Sequence, residues 1–135
     1  MPALSQTLAF RPSTSVGSTA TSSVVYPNTA TDTQVYISDK IKASGYYSNS
    51  GGLHTVMYVT SMDFVGTVTM QATLATSPSD SDWFHVPNTD QTYTELDSER
   101  TTNSVDSFNF IGNYVWVRGS VAIDDGTVNL VQFNH

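Results

Sequence analysis

The chain has 135 residues and a mass of 14.7 kDa, enough for one domain with one modest core. Only 13% of its residues are charged, about half the usual share, and Lys plus Arg number five against twelve Asp plus Glu, for a net charge of −7. That balance argues against nucleic acid and against an anionic membrane surface as partners; the absence of cysteine excludes disulfides, thiolate metal sites and a cysteine nucleophile.

Eighteen Ser and nineteen Thr stand where charged residues would otherwise be, and many of the Thr fall in alternating stretches that favour a pleated strand. No apolar run is long enough to cross a bilayer as a helix. The opening MPALSQTLAF has neither a basic stretch nor an apolar one of the kind a secretory signal requires, so no such signal is expected.

Residues 1–34 are rich in Ser, Thr and Ala, with little sustained periodicity, and read as an extended N-terminal arm. Two apolar patches interrupt it, Leu8-Ala9-Phe10 and Val24-Val25-Tyr26. A solvated tail has no need of them, whereas an arm docking on a neighbour does. Leu8, Phe10, Val24, Val25 and Tyr26 are therefore candidate partner contacts, and an edge strand flanked by loops fits them equally.

From residue 35 to 135 the period is two, and a single β-sandwich domain is expected. Val35-Tyr36-Ile37 opens it, and the Gly/Ser/Asn-rich loop carrying Tyr46 and Tyr47 breaks it. Exposed aromatics in such a loop suit a partner or a sugar, so Tyr46 and Tyr47 join the candidate contacts. LHTVMYVTSM reads as a strand apolar on much of both faces. GTVTMQATLA alternates most clearly, with Val68, Met70, Ala72 and Leu74 on one side and Thr67, Thr69, Gln71 and Thr73 on the other.

Trp83-Phe84-His85-Val86 is a short strand stopped by Pro87-Asn88, and the polar segment from Thr89 to Ser104 reads as a long excursion. Two alternating runs then flank Asp124-Asp125-Gly126, a strong hairpin signal. Trp116, inside the first run, is expected in the core. Seven or eight short strands without a helical pattern predict an all-β antiparallel sandwich, jelly-roll or immunoglobulin-like.

Chemistry is hard to find in this sequence. There is no G-x-S-x-G elbow and no phosphate-binding glycine loop. His54, His85 and His135 lack metal-ligand spacing and read as structural or surface residues. Asp80 and Asp82 in a Ser/Pro loop, and Asp124-Asp125, are ordinary turn formers rather than a calcium loop. No enzyme activity, catalytic residue, metal or other cofactor is expected.

A longer pattern adds a setting. It comprises Gly45-Tyr46, Leu53-His54-Thr55, Val65-Gly66-Thr67 with Gln71, Asp82-Trp83, Asn109-Phe110, the run from Gly112 to Arg118 and the terminal Asn134-His135. Over residues 40–135 this resembles a domain of virion structural proteins of T4-like cyanophages. The resemblance implies a non-enzymatic particle component and carries no catalytic residue. Three readings follow. A capsid decoration or cement protein would bind the major capsid protein from the capsid surface as a homo-oligomer, possible as a trimer. A tail, neck or baseplate adaptor is the second. A carbohydrate-binding module using Tyr46, Tyr47 or Trp83 is the third.

Overall fold

The period-two stretches become strands. In the computed structural model, which describes residues 5–12, 22, 24–25, 34–43, 52–93 and 104–134, they are β1 (Ser5–Thr7), β2 (Phe10–Pro12), β3 (Gln34–Ser38), β4 (Ile41–Lys42), β5 (Leu53–Thr60), β6 (Val65–Thr73), β7 (Phe84–His85), β8 (Gln91–Tyr93), β9 (Ser104–Ile111), β10 (Trp116–Asp125) and β11 (Val128–Asn134). Every strand pairing among them is antiparallel. The smaller sheet runs β1-β11-β5-β9. The larger follows β2-β3-β10-β6-β7, with β4 also on β10 and β8 also on β6. The fold is an all-β antiparallel sandwich, as the alternation predicts.

Alternation decides what fills the space between the sheets. His54, Val56, Tyr58 and Thr60 of β5 face inward, and so do Val68, Met70 and Ala72 of β6. Val117, Val121 and Ile123 of β10 meet them with Val131 and Phe133 of β11. Leu74 departs from the expected pattern. Pairing of β6 with β10 stops at Thr73, and Leu74, one residue beyond, is exposed.

The Asp-Gly turn does not make a hairpin. β10 belongs to the larger sheet and β11 to the smaller, so Asp124-Asp125-Gly126 carries the chain across the sandwich. The link from β5 to β6 crosses at the same end, and the two crossings are tied together. The Ser61 N–H donates to the Thr127 carbonyl at 2.8 Å, and the Thr127 N–H donates to Ser61 Oγ at 3.0 Å. Gly126, at φ 77°, lies so close to this link that a Cβ there would sit 2.4 Å from Phe64 Cα. Turn residues specify a tight reversal, but not which sheet the next strand joins.

Two strands before residue 34 border the same two sheets. β1 borders β11 in one and β2 borders β3 in the other, with the chain switching sheets at Leu8-Ala9. Leu8 and Phe10 are buried over the backbone of Gly119, where an added Cβ would meet the Phe10 ring at 3.0 Å and Leu8 at 3.1 Å. Val25 is also buried, bridged to Val128 by hydrogen bonds in both directions, 2.9 and 2.8 Å. Of the expected arm contacts, then, Leu8, Phe10 and Val25 lie in the chain's own core. Val24 is exposed. Tyr26, Tyr46 and Tyr47 lie outside the described residues.

Candidate interaction surfaces

The two outer faces of the sandwich differ in kind. On the larger sheet, β6 turns Thr67, Thr69, Gln71 and Thr73 outward, and β10 turns Trp116, Arg118 and Ser120 outward. Trp116 is thus a surface residue rather than the core residue expected of it. Its neighbours Val115 and Val117 take the inward phase, and alternation leaves Trp116 outside. Lys40 Nζ lies 4.5 Å from its ring centroid, and its indole N–H donates to the Thr76 carbonyl at 3.0 Å.

A second tryptophan acts with it. Trp83 packs against the Arg118 guanidinium at 4.3 Å, and Arg118 Nε donates to Gln71 Oε1 at 2.7 Å. The loop between β6 and β7 is thereby held at Thr76 by one indole and at Trp83 by the other. Between them sits a single 3-10 turn, Asp80–Asp82, in which Asp82 Oδ2 accepts from the Ser79 N–H at 2.8 Å. Asp82 closes the turn on which it sits, the ordinary role for such a residue. His85, opposite Gln71 on β7, is exposed on this face. Arg11 on β2, Lys42 on β4, and Lys40 and Arg118 all belong to the larger sheet or its connections; Arg100 lies outside the described residues.

Among the described residues, the outer face of the smaller sheet carries no charged side chain. β9 turns out Val105, Ser107, Asn109 and Ile111; β5 turns out Leu53, Thr55, Met57 and Val59; β11 turns out Leu130, Gln132 and Asn134. Val105 and Ile111 are 63% and 73% exposed and Leu53 is 50% exposed. Register sets them in rows. Val105, Val59 and Leu130 align across three strands, and Ile111 aligns with Leu53. Between these rows Thr55 Oγ1 donates to Asn109 Oδ1 at 2.7 Å. The one acid on β9, Asp106, points inward and accepts a hydrogen bond from the Tyr93 hydroxyl of β8, tying the two sheets together.

The inward polar groups are structural. His54 is fully buried, stacked on Phe110 at 4.7 Å and 6° between planes, with Phe133 at 5.7 Å. Tyr58 donates to the Thr89 carbonyl at 2.9 Å, and Thr89 Oγ1 donates to the Val86 carbonyl at 2.7 Å. Burial, with the Asp90 carboxylate adding to it, pushes the Tyr58 hydroxyl well above its ordinary value. Burial also raises Tyr93, followed by its hydrogen bond to Asp106. Among the described residues, no group of three or more His, Asp or Glu is placed to hold a metal ion. His135 lies outside the described residues. A cleft of about 390 Å³ between residues 6–9 and 38–41 is open and bears one Asp and one Lys.

The sequence shows that β5 is apolar on much of both faces, but not the surface that it makes with β9. The alternation of β9 alone hides it, since Val105 and Ile111 become neighbours of Val59 and Leu53 only through the pairing of segments far apart in the chain. No family model matches the chain, and no curated protein matches it.

Proposed function

We propose that this chain is a non-enzymatic structural protein of a bacteriophage particle, and that it decorates or cements the capsid by binding the major capsid protein. The observation that carries the assembly reading is the uncharged outer face of the smaller sheet, with Val105, Ile111 and Leu53 standing out of it. Exposed aliphatics gathered on one face, here at both ends of it, mark surfaces that are covered in use. Assembly requires complementary surface and no chemistry, and the inward His and Tyr groups are occupied in holding the sheets together.

The phage setting is supported by the resemblance over residues 40–135, and the capsid by the absence of a long shaft-like repeat within these 135 residues. A decoration protein follows the capsid lattice, so it is expected on the order of hundreds of copies per particle, set by the symmetry of the shell. Quantitative mass spectrometry of purified virions against the major capsid protein measures this. A count of about a dozen or fewer would instead favour a tail, neck or baseplate adaptor, whose symmetry is that of a ring.

A further inference from the structure

The uncharged face has a symmetry of its own. On β5, Leu53 and Val59 lie equally far from Val56; on β9, Ile111 and Val105 lie equally far from Phe108, and Val56 pairs with Phe108. The aliphatic pairs Leu53/Ile111 and Val59/Val105 therefore end the face on either side of a centre made of Thr55/Asn109 and Met57/Ser107. We propose that this face binds a second copy of the same chain, about a two-fold axis that crosses the strands at the level of Val56 and Phe108. That axis lays Val105 and Val59 of one copy over Ile111 and Leu53 of the other, and Thr55 and Asn109 of one over Met57 and Ser107 of the other. Such an arrangement is the self-complementarity that a two-fold interface demands.

Charge points to the same occupant. Two copies of a chain with a net charge of −7 repel each other through most approaches, and the described residues of this face bring no charged side chain to the meeting. Among those residues a strongly basic partner would find no carboxylate to pair with.

The area is small. Two strands of eight residues, one of seven and the three-residue β1, at about 4.8 Å spacing and about 3.4 Å per residue, give a footprint of about 400 Å² on each copy. Two such footprints, about 800 Å², fall short of the roughly 1,000 Å² of a stable contact, so a weak dimer with a dissociation constant on the order of 100 µM is expected. The dimer does not depend on the particle: it stands or falls in solution, whatever virion counting returns.

Sedimentation velocity of the full chain from about 1 to about 200 µM brackets that value. The unmodified protein should pass from monomer to a mixture of monomer and dimer. Val105→Lys and Ile111→Glu, both at exposed positions, should each remain monomeric over the same range, and mixing the two should restore a dimer, since the axis sets residue 105 of one copy over residue 111 of the other. Methyl resonances of the unmodified chain should shift on dilution at Leu53, Val59, Val105 and Ile111. A monomer throughout, a dimer indifferent to both substitutions, a mixture that fails to associate, or dilution shifts confined to other residues would each overturn the assignment.

Discussion

Tyr58 joins the two halves of the core through one hydroxyl. Replacing it with Phe leaves the buried Thr89 carbonyl without that donor, and a loss of about 1–2 kcal/mol is expected from urea unfolding. The pH dependence has a definite sign. Tyr58 and Tyr93 are both raised from an ordinary value of 10.0, so the folded state favours their protonated forms. The stability they supply is complete below about pH 10 and is lost as the pH rises further, because only the unfolded chain ionises there freely. Melting temperature followed upward from pH 9 should fall, and Tyr58→Phe should make that fall shallower. Gly126 is a second sensitive residue. At φ 77°, with Phe64 Cα in the way, Gly126→Ala is expected to cost more than about 1 kcal/mol.

At the scale of elements, the loop between β6 and β7 gives the sharpest expectation. Two indoles hold it, and a cation–aromatic contact contributes about 0.5–2 kcal/mol. Trp83→Ala should therefore leave the sandwich folded while speeding amide exchange at residues 77–82 by on the order of tenfold. Unchanged exchange there would show that Trp83 does not restrain the loop.

Strand existence was legible in the sequence because alternation is local. β5, β6, β10 and β11 lie where the period of two places them. Partnership was not legible, since it is set between distant segments. Asp124-Asp125-Gly126 looks like a hairpin from its residues, yet Val117, Val121 and Ile123 are needed against β5 and β11 from the opposite sheet. Trp116 illustrates the same limit within one strand. Its place in an alternating run suggests burial, but the inward phase belongs to Val115 and Val117, and a side chain cannot leave the phase of its strand. The candidate surface was the least legible part, being assembled from β5, β9 and β11 only by their register.

The whole molecule combines a polar face pinned by tryptophans with an uncharged face of exposed aliphatics, around a core cross-tied by Tyr58–Thr89 and Tyr93–Asp106. A two-fold pair formed through the uncharged face would leave both polar faces outward, free to meet a shell of other proteins. Assembly on a capsid is what we propose for this chain, and its position in a map of the intact virion is the decisive measurement. Density for the sandwich repeated over the capsid surface, in contact with the major capsid protein, is expected. Density confined to the tail or baseplate, or none on the particle, would contradict it.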